Sequence, residues 1–277
     1  MLQFMFAPFV MCMILVAIHS YLGLHIIARE VIFVDLSLAQ MAALGGVVAL
    51  LYGVAPDSST AFIFSLIFTC VGAALFALTR TRGKGRVPHE AIIGIVYVVA
   101  SAAAILAADK APRGAEALHD VMEGAPIIWV TPSQIVKKGA AYAALGLLHF
   151  FLRRQFLKIS FHAGEAEREG WRIRAWDFLF YVSFGVAVTI SVPVAGVLLV
   201  FTMLVVPAVV AFLFTRDIRK MVLISWGTGA LASLLGLYIS YVGNFPTGPL
   251  IVCMYGLVLV GAGVLRKLGV GDQAVVP

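Results

Sequence analysis

Apolar residues run along this chain in long blocks separated by short polar stretches, and each block suits a helix crossing a hydrocarbon core of about 30 Å. The blocks predict spans near residues 4–28, 33–54, 61–79, 91–108, 135–152, 177–193, 194–214, 221–242 and 249–265. That makes nine, or eight if one block lies at the interface. The expected fold is all-α, a polytopic membrane helical bundle formed by one integral domain over residues 1–277. Gly229, Ala232, Ser233, Gly236 and Ser240 recur at helical spacing in the eighth span, and Ser101 to Ala104 lie in the fourth. In lipid such small faces let helices approach closely, so tight packing is expected.

The block from Trp176 to Phe214 is the longest, broken by Ser191-Val-Pro193 and by Pro207. It is too long for one crossing and reads as two spans meeting at Pro193. A proline within a helix leaves a carbonyl without its donor, which is tolerated where protein or water receives it. Pro207 is thus either an ordinary kink or part of a moving device.

Composition supports the membrane reading: 62% of residues are hydrophobic and 12% charged, which excludes a soluble domain. The net charge of +6 does not point to nucleic acid, because the cations fall in the segments between spans. Arg80, Arg82, Lys84 and Arg86 form one cluster, Arg153, Arg154, Lys158, Arg168, Arg172 and Arg174 a second, and Arg216, Arg219 and Lys220 a third. Cations retained on the cytoplasmic side put the loops near 53–60 and 243–248 outside, with the N-terminus outside and the C-terminus inside. No cleavable leader is expected, since no basic stretch precedes the first apolar run. The longer polar connections are then an outer loop, 109–134, and a cytoplasmic loop, 153–174. The outer one surrounds a short apolar Ile127–Val130 with Pro112, Pro126 and Pro132, and suits a turn or an interfacial helix. The inner one reads as a solvated amphipathic segment.

Candidate chemistry is sparse. The motifs H-E-x-x-H, G-x-S-x-G and the nucleotide-binding P-loop are absent, so enzymatic turnover by this chain is not expected. Cys12, Cys70 and Cys253 lie singly in apolar segments and read as packing residues. His19, His25 and His149 read as imidazoles hydrogen-bonded within the bundle, His89-Glu90 as a cap at the interface, and His119, Asp120 and Glu123 as a solvated polar cluster. An ionisable group inside a membrane is costly and turns toward a partner or a pathway. Asp35 is such a group among the early spans, with Ser37 and Gln40 close behind. It lies either on a pathway or near enough to the interface to stay wet.

The stretch Val194-Ala-Gly-Val-Leu-Leu-Val-Phe-Thr-Met-Leu-Val-Val-Pro-Ala208 resembles the signature of the permease subunits of the zinc/manganese ABC transporter family, an apolar span ending in Pro-Ala. Pro207, Ala208 and Ala211 match it directly, and Gly94, Gly236 and the Pro246-Thr-Gly248 turn are further matches. The resemblance implies a plasma-membrane importer subunit for zinc, manganese or iron, in the inner membrane if the source is Gram-negative. It also implies a second permease copy, cytoplasmic ATPase subunits that use ATP and Mg, and an extracytoplasmic metal-binding receptor, with no cofactor in this chain. Residues 207–217 would be the coupling segment, a short helix set off by Pro207, with Arg216 and Asp217 at the rim of the ATPase groove. The outer loop and the turn at Asn244 to Gly248 would face the receptor.

One departure concerns cargo. The family commonly carries an Asp and a His four residues apart, on one helical face. Here Leu36 and Gln40 occupy those positions. Asp35 lies about 140° around a helix from Gln40, so it does not replace the missing acid, and an amide oxygen is a weak ligand for Zn²⁺ or Mn²⁺. The metal ligands are unknown. Asp35, Ser37 and Gln40 are the expected substrate pathway. Alternatives are an ABC permease for a non-metal or metal-chelate substrate, an ion-coupled secondary carrier, which needs paired intramembrane acids in broken helices, and a non-transporting scaffold.

Overall fold

The structure, a computed structural model, describes residues 2–56, 58–80, 87–123 and 127–270. Among these, every regular element is helical: α1 (Leu2–Ala28), α2 (Val34–Leu51), α3 (Ser59–Thr79), α4 (His89–Lys110), α5 (Gly114–Glu123), a 3-10 turn (Ile127–Trp129), α6 (Pro132–Phe151), α7 (Arg153–Phe161), α8 (Ala163–Arg168), α9 (Ile173–Phe214), α10 (Ile218–Gly243) and α11 (Thr247–Lys267). Seven are long and apolar enough to cross a membrane, and α6, bent by 72° into α7, completes an eighth candidate.

Helix boundaries follow from local chemistry. Ser58 caps α3 by accepting from the Ala61 amide. Thr131 and Gln134 form a reciprocal capping box at α6, with Pro132 in the first turn, where no helical donor is needed. Asp217 caps α10 through the amides of Arg219 and Lys220, and Asn244 ends α10 in the left-handed conformation.

The 42 residues of α9 would extend about 63 Å if straight, twice a hydrocarbon core. They do not run straight, because Gly196 has φ 73° and ψ 159°, a conformation open almost exclusively to glycine. Both ends of α9 lie at one level of the bundle: Asp177 pairs with Arg29 at the end of α1, while Phe212 stacks on Phe161, the neighbour of Ser160, which Arg29 also binds. The element is thus a helical hairpin and supplies two spans, giving nine among the described residues. The reversal lies at Gly196 and not at the expected Pro193, whose ring fixes φ near −65° and bars the required torsion. Nor does Pro207 set off a separate helix, since α9 continues through it to Phe214.

With α9 folded back, Arg29, Arg80, Arg153, Lys158, Arg174, Arg219 and Arg266 fall at one end of the bundle, the cytoplasmic end by the positive-inside rule. Side chains from α1, α2, α6 and α9 form the core, with α10 and α11 closing one side. The small face of α10 packs as expected: Gly229 meets Val16, Gly236 meets the Ile251 backbone, and Ser233 binds the Tyr255 hydroxyl at 3.2 Å; of Ser101 to Ala104 in α4, Ala104 is buried and Ala102 exposed. In the outer connection, α5 returns to pack on α4, α2 and α9, while the inner connection folds into α7 and α8. Arg82, Lys84 and Arg86, and the side chains of Asp120 and Glu123, lie outside the described residues.

Candidate pathway and cytoplasmic coupling site

The three pathway candidates on α2 reach different neighbours. Ser37 Oγ donates to the Ile93 carbonyl of α4 at 2.7 Å, a closed helix-to-helix contact. Gln40 Nε2 lies 4.0 Å from the Met122 sulfur of α5. Asp35 is 1% exposed, and among the described residues neither carboxylate oxygen has a hydrogen-bond partner. It is buried within the subunit, at the first turn of α2. Among the described residues, no three His, Cys, Asp or Glu side chains come together in a way that could hold a metal ion.

The single histidines are bonded inside the bundle. His19 Nδ1 lies 2.9 Å from the Leu15 carbonyl, and Nε2 lies 2.9 Å from Ser191 Oγ. His149 Nε2 is 2.9 Å from Ser183 Oγ. At the interface, Glu90 accepts from the Phe33 amide at 2.9 Å and thereby closes the start of α2.

At the cytoplasmic end a buried polar node joins four elements. Arg29, just beyond α1, donates through Nη1 to Asp177 of α9 at 2.8 Å and through Nε to Ser160 of α7 at 2.8 Å. The second Asp177 oxygen accepts from Arg80 at the end of α3. His25 Nδ1 meets the same Ser160 hydroxyl at 2.8 Å, and the Arg29 guanidinium lies 3.9 Å from the Phe180 ring centroid, a cation–π contact. The node therefore fastens α7 to three spans. Sequence reasoning missed it, although Asp177 is the one acid in α9 and the rule that singled out Asp35 applies equally to it.

The coupling candidates divide into two groups. Pro207, Ala208 and Ala211 are buried: the Pro207 carbonyl accepts from Ser225 Oγ at 3.1 Å, and the two alanines pack with Leu24 and Met221. Arg216 and Asp217 sit exposed at the bend between α9 and α10. There the Asp217 carboxylate accepts from the amides of Lys220 and Arg219, which hold its pKa below the usual carboxylate value.

Short helices joined by polar contacts to helices long and apolar enough to cross describe a multi-pass membrane protein. A model of the ABC 3 transport family matches residues 1–266, and the chain belongs to that family, as a multi-pass permease of the plasma membrane. It is similar to the manganese transport system membrane protein MntC of Listeria innocua, 25% identical over 74% of this chain and 74% of that one. The manganese import system permease protein ScaB of Streptococcus gordonii is 26% identical over 76% and 77% of the two chains. Among solved structures, PsaBC from Streptococcus pneumoniae in complex with Fab shares the fold with a TM-score of 0.77 and 22% identity, over 94% of this chain and 92% of that one. An inward-facing putative metal-chelate type ABC transporter shares it with a TM-score of 0.70 and 15% identity, over 94% and 85%.

Proposed function

We propose that this chain is the membrane-spanning subunit of an importer for divalent metal ions, driven by ATP that a separate cytoplasmic subunit hydrolyses. The observation that carries the driving mechanism is the fastening of α7 to α1, α3 and α9 through Ser160, Arg29, Asp177 and Arg80. A helix held in this way moves with the spans, so an ATPase seated on the charged side of α7 and α8 can transmit its closure upward. Arg216 and Asp217 form the rim of that seat, with Pro207, Ala208 and Ala211 as the packed support behind it. The full transporter contains a second copy of this chain and an extracytoplasmic metal-binding receptor facing the outer connection and the Asn244 to Gly248 turn. The metal reading is supported by the names of the relatives. Asp35, Ser37 and Gln40 contribute to its pathway.

The decisive experiment is uptake of radiolabelled Mn²⁺, Zn²⁺ and Fe²⁺ by proteoliposomes holding the permease with its ATPase and receptor. ATP-dependent uptake of one of them is expected, lowered by Gln40→Ala. Carriage of none would remove the free-metal reading. A second reading has its own observation: with Leu36 and Gln40 in place of an acid and an imidazole, α2 offers poor donors to a bare cation. A chelated metal would need fewer protein ligands, and uptake of the chelate without the free ion would establish that reading instead.

A further inference from the structure

Beside the Asp177 node a cleft of about 960 Å³ opens on the cytoplasmic face. Among the described residues, Arg80, Arg172 and Arg174 line it, with Trp171, Gly164 and a single carboxylate, Glu167. Three guanidiniums against one acid leave the cleft strongly cationic. Arg80 adds to the imbalance, because Asp177 must already neutralise Arg29 as well.

The position of the cleft identifies what would balance this charge. Arg174 stands one helical turn before Phe178, on the same face of α9, and Phe178 is 42% exposed on the apolar flank of the bundle. Arg80 follows α3, whose Ile67, Val71, Leu75 and Leu78 form an exposed apolar stripe. Both cations therefore sit at the depth where acyl chains give way to headgroups. Trp171 and Trp176, with ring centroids 6.4 Å apart, belong to the same level, the usual place for indoles. We infer that this cleft binds the phosphodiester headgroup of an anionic phospholipid of the inner leaflet, its acyl chains lying along the Leu78 and Phe178 flanks. Guanidinium pairs suit phosphate oxygens because their planar N–H forks bind two at once. The site is independent of the cargo.

Native mass spectrometry of the permease–ATPase complex tests this, with phosphatidylglycerol and phosphatidylcholine of matched chains added in turn. The exposed side chains Arg172 and Arg174 can be changed without opening the core. Retention of phosphatidylglycerol in preference to phosphatidylcholine is expected, falling about fivefold with Arg172→Gln or Arg174→Gln and about 25-fold with both. Glycerol 3-phosphate at millimolar concentration should leave the bound lipid in place. Equal retention of the two lipids, or phosphatidylglycerol unaffected by the double substitution, would overturn the inference. Displacement by glycerol 3-phosphate would show a soluble-anion site instead. If the double variant sheds the ATPase while keeping its lipid, the cleft is a protein contact and the inference fails.

Discussion

Asp177 sets one negative charge against two guanidiniums with its side chain fully buried, and the Arg29 side chain is 2% exposed. Replacing one member of such a group leaves an uncompensated charge out of water, which costs on the order of 3–5 kcal/mol. Asp177→Asn is expected to destabilise the detergent-solubilised permease by about that amount, read as a fall in denaturation midpoint. Pairing it with Arg29→Met should recover much of the loss, because the pair then leaves together. At the exposed bend the same residue type behaves differently. Asp217 has a depressed pKa because its charged form accepts two amide bonds at the start of α10. Its contribution is present above the pKa of an unfolded aspartate, near 4, and is lost as pH falls through the lower folded value. Asp217→Asn, which caps without titrating, should flatten the part of the stability profile below about pH 4. An unchanged acid limb would show that this cap contributes nothing there.

Among the elements, α1 and the returning half of α9 touch most closely at Gly23, where an added Cβ would lie 2.0 Å from the Leu204 carbonyl oxygen. That neighbour is backbone and cannot rotate away, so the helices must separate. Gly23→Ala should cost on the order of 1–3 kcal/mol, whereas Gly94→Ala, whose Cβ would meet open space, should be silent by the same unfolding measurement. Both are glycines within apolar spans, and hydropathy alone does not distinguish them. The nine spans were legible because lipid demands about 20 apolar helical residues per crossing. The turn of α9 was less so: two prolines drew attention, yet the reversal needed a positive φ that only Gly196 supplies. The packing of α5 against α2 was equally hidden, since it depends on contacts between distant segments. The candidate site was legible in part. Arg216 and Asp217 emerged at an exposed bend, while the Ser160 link joins residues 131 positions apart and has no local signature.

For the whole molecule, the question is how a force applied beneath the membrane reaches the pathway. The cytoplasmic face carries α7 and α8, whose Phe156, Ile159 and Ala166 are buried while Arg153, Arg154 and Glu165 face outward. A partner on that face can push or pull α7, and α1 and α9 follow through the polar link together with the packing of Phe161 on Phe212 and Phe156 on Phe180. Ser160 is the point where the link can be cut with little loss of volume. Its hydroxyl serves both His25 and Arg29, and removing it leaves the Arg29–Asp177 pair in place. Ser160→Ala should therefore retain the ATPase in co-purification, because the outward charges are untouched. It should lower the cargo imported per ATP hydrolysed several-fold in proteoliposomes, where uptake and phosphate release are measured on the same sample. Arg216→Ala should differ, weakening the association itself, because that side chain stands at the rim of the proposed seat. If Ser160→Ala leaves the ratio of uptake to hydrolysis at the wild-type value, force does not travel through this polar link, and the packed face of α7 or the bend at Arg216 and Asp217 becomes the better route.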